Sequence, residues 1–130
     1  MILVDTSAWV EYLRGTGSPL NIRVRAYHDN TDDLVITDVV AMELLAGVRT
    51  DVDERRVDAI VSGVPLLRTQ SLDDYEQAAV LFRACRRGGE TVRKLTDCLI
   101  AAIAIRNNVP LLHGDSDFDA LARHTPLQIA

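Results

Sequence analysis

Cysteine is scarce in this 130-residue chain, with only Cys85 and Cys98. Two cysteines cannot build a disulfide scaffold, and their spacing is not that of a zinc knuckle. They read as buried thiols of a reducing compartment, so a cytoplasmic location is expected. Aromatic residues make up only 5%, too few for a base-stacking platform. An excess of positive charge is also missing. The formal net charge is −5, which argues against a passive nucleic-acid coat held by bulk charge. It leaves room for a nuclease, because metal ions can provide the missing positive charge. No apolar run approaches the ~18 residues of a membrane span. The opening Met1-Ile2-Leu3-Val4-Asp5 lacks the basic leader of a secretory signal.

What is present is ordinary globular composition, 48% hydrophobic and 25% charged, in a length that suits one domain over residues 1–130. Short apolar runs alternate with helical patterns. Met1 to Val4, Leu34 to Ile36, Pro65 to Leu67 and Val109 to Leu112 read as buried strands, with Leu127 to Ile129 as a last edge strand. Helices are expected from Thr6 or Ser7 to Arg14, from Ser18-Pro19, from Thr37 or Asp38, over Val52 to Val61, over Leu72 to Arg87, over Asp97 to Arg106 and over Asp117 to Arg123. Ser71 and Thr96 are the expected caps of the fifth and sixth of these, and Tyr75, Ala78, Ala79, Phe82 and Cys85 the fifth helix's apolar stripe. The sixth is apolar nearly all round and should be central. This alternation predicts an α/β fold of three layers, α/β/α, with a mostly parallel central sheet of four to five strands.

Asp and Glu total 19, and the informative ones stand where a charge is costly. Asp5 ends the first strand, and Asp115 lies just past the strand at Leu112. In open parallel sheets, ligands bind outside the carboxyl ends of strands. Glu43 interrupts an apolar helical stretch, Asp97 opens the most apolar helix, and Asp117 follows Asp115 by two. Each has a plain structural reading as a cap, a turn residue or a snorkelling acid. If they converge they repel, and the site must take up protons or hold a cation. Oxygen ligands without cysteine or paired histidine favour Mg²⁺ or Mn²⁺ over Zn²⁺. Such an ion is the usual partner of phosphate oxygens, so phosphodiester hydrolysis is the implied chemistry.

Four segments in this order, Val4-Asp5-Thr6-Ser7-Ala8-Trp9, Val40-Ala41-Met42-Glu43-Leu44, Leu95-Thr96-Asp97-Cys98-Leu99-Ile100-Ala101 and Leu112-His113-Gly114-Asp115-Ser116-Asp117-Phe118, resemble the PIN-domain ribonucleases. The resemblance covers essentially the whole chain and is strongest to the short VapC toxins of toxin–antitoxin pairs. It implies a metal-dependent endoribonuclease that hydrolyses RNA with metal-activated water. It further implies that Asp5, Glu43, Asp97 and Asp115 form the acidic pocket, with Asp117 contributing to the metal site. A homodimer and a cognate VapB-type antitoxin that blocks the pocket are implied as well. His113 departs from the family pattern, where Thr or Ser is common.

Arg83, Arg86, Arg87, Arg93 and Lys94 are 5 of the 14 basic residues, and they read either as a phosphate-contacting rim or as a solvated helix end. Thr6 and Ser7 are candidates for a metal water or phosphate oxygen, or for capping alone. Trp9, Tyr12 and Leu13 could form an interface or belong to the core. A haloacid-dehalogenase-type phosphatase needs an acid where Ser7 stands. A receiver domain needs a strand-end lysine, whereas Lys94 lies in a basic loop. A flap-nuclease relative acting on DNA would usually be longer. The non-enzymatic alternative is a PIN-like domain that binds RNA or a partner without catalysis.

Overall fold

A computed structural model describes residues 1–30 and 33–130. The order is β1 (Ile2–Val4), α1 (Thr6–Arg14), α2 (Pro19–Asn30), β2 (Leu34–Thr37), α3 (Asp38–Ala46), α4 (Asp51–Gly63), β3 (Leu66–Leu67), α5 (Ser71–Arg87), α6 (Leu95–Arg106), β4 (Leu111–Leu112) and α7 (Ser116–His124). Four strands form one sheet in the order β3-β2-β1-β4. All pairings are parallel, with Leu3 of β1 opposite both Val35 of β2 and Leu111 of β4. The strands are short apolar runs with no alternation, as expected of strands covered on both faces. Among the described residues no helix is long and apolar enough to cross a membrane.

The core centres on β1 and α6. Leu3 and Val4 are fully buried, and every residue of α6 from Asp97 to Ala104 is buried. An all-apolar helix can only be stable when other elements surround it. Here α5, α7 and α3 pack against it. Trp9 is also fully buried, edge-on to Tyr12 and His28, so it belongs to the core rather than to an interface.

Several local expectations shift. Neither Thr6 nor Ser7 caps α1; Asp5 does, its carboxylate accepting from the Ser7 N–H at 3.0 Å. Ser71 and Thr96 do not cap either, because α5 and α6 begin at Ser71 and Leu95 without a side-chain cap bond. The buried stripe of α5 is Asp74, Ala78, Leu81 and Cys85, while Tyr75 is exposed. The expected edge strand at Leu127 to Ile129 is reduced to a single parallel bridge, Leu111 to Ile129.

This topology positions the site. The chain builds from β1 outward through β2 to β3, then returns to β1's other side as β4. The strand order therefore reverses between β1 and β4, and a crevice opens at their carboxyl ends. The ladder continues one residue past β1, with the Asp5 N–H donating to Leu112 O at 3.0 Å. Asp5 is thereby tied to the strand that leads into Asp115.

Candidate active site

Three acids stand at three helix N-termini. Asp5 caps α1, Asp115 caps α7 by accepting from the Asp117 N–H, and Asp97 lies in the first turn of α6. The positive ends of the helix dipoles favour carboxylates there. Glu43 arrives from α3, one turn from its C-terminus. Asp5, Glu43, Asp97 and Asp115 line one cleft of about 330 Å³, together with Thr6, Ser7, Glu11, Arg14, Lys94 and Gly114. Carboxylate oxygens of Asp97, Asp115 and Asp117 lie within 4.8 Å of one another. Asp117 joins this cluster without being part of the cleft wall.

The acids divide their oxygens between two tasks. Asp5 is 3% exposed. Its Oδ2 accepts from the Ser7 N–H at 3.0 Å and from Ser7 Oγ at 2.5 Å. Its Oδ1 is buried and, among the described residues, has no partner. Asp97 is 5% exposed, and its Oδ2 is likewise buried and unpartnered. Glu43 Oε1 accepts from Thr6 Oγ1 at 2.9 Å. Ser7 Oγ also accepts from the Gly114 N–H at 2.9 Å, which joins the β1 and β4 loops. Gly114 suits this junction because a Cβ there would stand 2.7 Å from Leu20 Cδ2.

Buried acceptors without donors are costly, and several together are costlier. The pKa values record it. Burial, reinforced by the charges of Asp5 and Asp115, pushes Asp97 up to about 7. Burial also raises Asp5, against the Ser7 hydrogen bonds that oppose the rise. Glu43 is raised by burial and by Asp5's charge, with the Thr6 bond opposing. Perturbation of this kind, in a cleft, marks a functional site more often than a structural one. The donor set is all carboxylate oxygen, and two of its buried oxygens lack a donor. This fits a hard divalent cation.

The remaining candidates fall on both sides of the expectation. Arg93 bonds the acids directly: Nε reaches Asp117 Oδ2 at 3.0 Å and Nη2 reaches Asp115 Oδ1 at 2.9 Å. Lys94 lines the cleft. Arg83, Arg86 and Arg87 lie on the exposed end of α5, outside the cleft wall, and Arg86 rests over the Phe82 ring. The side chain of His113 is only 8% exposed. Its Nδ1 accepts the Asp115 N–H at 3.0 Å, which puts the ring proton on Nε2, 3.3 Å from Asp119. The ring packs on Phe118 and lies outside the cleft wall, so it positions the Asp115 loop.

Sequence reasoning missed Glu11 and Arg14 as cleft residues. Their signal was available: Ser7, Val10, Glu11 and Arg14 fall at i, i+3, i+4 and i+7, one face of α1, and all four line the cleft. It also missed the pairing of Arg93 with Asp117 across 24 residues, for which the sequence carries no local signal.

The PIN domain family model matches residues 2–124. The chain belongs to the PIN-domain family. It is 45% identical over 131 residues to Ribonuclease VapC11 of Mycobacterium tuberculosis, covering 100% of this chain and 98% of that protein. VapC ribonuclease Mb1587 of Mycobacterium bovis is similar to the same extent. The fold of this PIN domain is shared with VapBC2 from Rickettsia felis, solved bound to a promoter DNA fragment. That likeness has a TM-score of 0.77 at 18% identity and covers 100% of this chain and 98% of that one. VapC20 from Mycobacterium tuberculosis, a toxin that cleaves the sarcin–ricin loop, matches with a TM-score of 0.69 at 21% identity, over 92% and 94% of the two chains.

Proposed function

We propose that this chain is an endoribonuclease that depends on Mg²⁺ or Mn²⁺ and acts as the toxin of a toxin–antitoxin pair. The observation that carries the reading is the meeting of Asp5, Glu43, Asp97 and Asp115 in one cleft with two buried carboxylate oxygens unpartnered. The relatives named as ribonucleases disfavour a non-catalytic binding domain. Asp5, through Oδ1, Asp97, through Oδ2, and Asp115 would hold the ion, with Asp117 completing the cluster. When bound, such an ion makes a water more acidic and offsets the charge that develops at phosphorus.

The chain's own groups do the rest. Ser7 holds Asp5 through two bonds to Oδ2, leaving the buried, unpartnered Oδ1 for the ion. Thr6 holds Glu43 by Oε1, leaving Oε2 to orient the attacking water and take its proton. Cleavage by an activated water leaves a 5′-phosphate and a 3′-hydroxyl, unlike a metal-free histidine ribonuclease.

Residues 1–130 act as one unit, paired as a homodimer in the cytoplasm and restrained by a VapB-type antitoxin. The antitoxin reading is supported by the VapBC complexes that share this fold. The test is to induce wild type and Asp5→Ala side by side and map RNA ends. New 5′-phosphate ends in wild type only are expected. Identical end profiles in the two cultures would refute the reading.

A further inference from the structure

Arg93 has a side chain that is 67% exposed although it makes two ion pairs. Its backbone N–H and its Nε both donate to Asp117 Oδ2, at 3.2 and 3.0 Å, and Nη2 donates to Asp115 Oδ1 at 2.9 Å. One edge of the guanidinium is thus spent on the acids. Among the described residues nothing accepts from Nη1, so the outer edge remains open beside the cleft. The neighbouring residue, Lys94, is part of the cleft wall.

A guanidinium carries five N–H groups in a rigid fork that matches two oxygens of a phosphate. Held from behind by two carboxylates, this one has already lost most of the rotational freedom that a surface arginine gives up on binding. Exposure of the unused edge suits a ligand that arrives from solvent.

Resting on the ribonuclease reading, we propose that Arg93 is a phosphate clamp for the RNA strand, oriented by Asp115 and Asp117 and gripping a backbone phosphate next to the acidic cleft. Asp115 and Asp117 then serve two cations, an incoming divalent ion on one side and Arg93 on the other. The clamp acts on the backbone and is indifferent to base identity.

The experiment measures binding of a fluorescent single-stranded RNA oligonucleotide in the cleavage-silent Asp97→Asn background across a salt titration. Arg93→Ala, Arg93→Lys and Arg87→Ala are compared on that background. Arg93→Ala is expected to weaken binding about 10-fold and to lower the salt slope by about 0.7, one phosphate contact on a single strand. Arg93→Lys keeps the charge but not the fork, so it should remain well below the parent. Arg87→Ala removes one exposed cation of the same segment and should cost less than Arg93→Ala. Mn²⁺ binding to the Arg93→Ala single variant, followed by electron paramagnetic resonance, should persist. The clamp is refuted if Arg93→Ala binds RNA no worse than Arg87→Ala or if Arg93→Lys equals the parent. Loss of Mn²⁺ binding with RNA affinity intact would also refute it, leaving Arg93 a counter-ion only. Failure of the parent to bind RNA, together with wild type failing to cleave it, would sink the ribonuclease reading itself.

Discussion

Two aspartates on adjacent packed helices are equally hidden, yet their chemistry is opposite. Asp74 on α5 is 2% exposed, much like Asp97 on α6. Burial pushes Asp74 up, but the bonds that it receives outweigh burial and hold it below its ordinary value. Arg106 donates Nε to Oδ1 and Nη2 to Oδ2, both at 2.9 Å, and the Gln70 N–H donates to Oδ2 at 2.7 Å. Among the described residues Asp97 has no such donor on Oδ2, and its charged neighbours include other acids. Burial alone therefore does not mark a functional acid. The mark is burial with the partner withheld, because a fold tolerates an uncompensated carboxylate only where a ligand completes it.

The largest effects should separate the two acids. Asp97→Asn is expected to lower RNA cleavage by more than about 1,000-fold, by removing a charge on which the reaction depends, and to abolish Mn²⁺ binding while leaving the protein folded. Cleavage assays and an Mn²⁺ titration check it. Arg106→Ala should do the reverse. It strands the Asp74 charge in the interior, at a cost of roughly 3–5 kcal/mol of stability. Chemical denaturation should show that loss, and Mn²⁺ affinity in the folded protein should stay as in wild type. If the two variants gave the same profile, the contrast between paired and unpaired acids would collapse.

How much of this was legible in the sequence follows from the range of each interaction. Asp5, Asp97 and Asp115 could be found because each sits at a strand-to-helix or loop-to-helix boundary, which local periodicity reveals. Glu43 stood out as the one charge inside an apolar run. The Asp74–Arg106 pair was invisible, since it joins residues 32 apart and depends on how α5 rotates against α6. The same rotation explains the apolar stripe of α5. The sequence offered Tyr75, Ala78, Ala79, Phe82 and Cys85; Ala78 and Cys85 are buried and Phe82 packs partly buried on the core, while Asp74 and Leu81 complete the buried stripe and Tyr75 is exposed. A buried salt-bridged acid looks polar in a hydropathy pattern, so the pattern placed Tyr75 on the stripe where packing puts Asp74. The caps of α5 and α6 were misread for a related reason. Ser71 and Thr96 are good cap residues, but in this structure they lie inside the helices, which begin at or before them.

A smaller effect sharpens the comparison through pH. Asp97 rises from an ordinary value of 3.8 to about 7 in the folded protein. A raised carboxyl favours the folded state while protonated. That contribution is complete below about pH 4 and disappears as pH climbs to about 7. Metal-free protein should therefore melt at a lower temperature at pH 8 than at pH 5. The rise from 3.8 to about 7 corresponds to at most about 4 kcal/mol, and an open cleft reduces this to about 2 kcal/mol. Asp97→Asn should flatten the profile, and Mn²⁺ at pH 8 should restore the lost stability because it binds the ionised acids. Asp74 has the opposite sign. Its depressed pKa makes its contribution present above the ordinary carboxylate value and lost on acidification. An Asp97→Asn protein that destabilised at high pH as steeply as wild type would contradict this account.

The smallest predicted effect concerns how Asp5 is kept ionisable while buried. Among the described residues Ser7 gives Asp5 its only side-chain donor, and at the same time it accepts from the Gly114 N–H. Ser7→Ala removes the stronger of the forces that hold Asp5 down against burial. It leaves the cap bond from the backbone of residue 7 in place. Asp5 should then hold its proton to higher pH, so Mn²⁺ must displace that proton over a wider range. Affinity for Mn²⁺ is expected to fall roughly 3–10-fold at about pH 6.5, as for loss of one hydrogen bond to a charged acceptor, and to fall less at about pH 8.5, where protons compete less for Asp5. Isothermal titration at the two pH values tests this. A loss of equal size at both would mean that Ser7 acts by holding the β1 and β4 loops together rather than by setting the charge on Asp5.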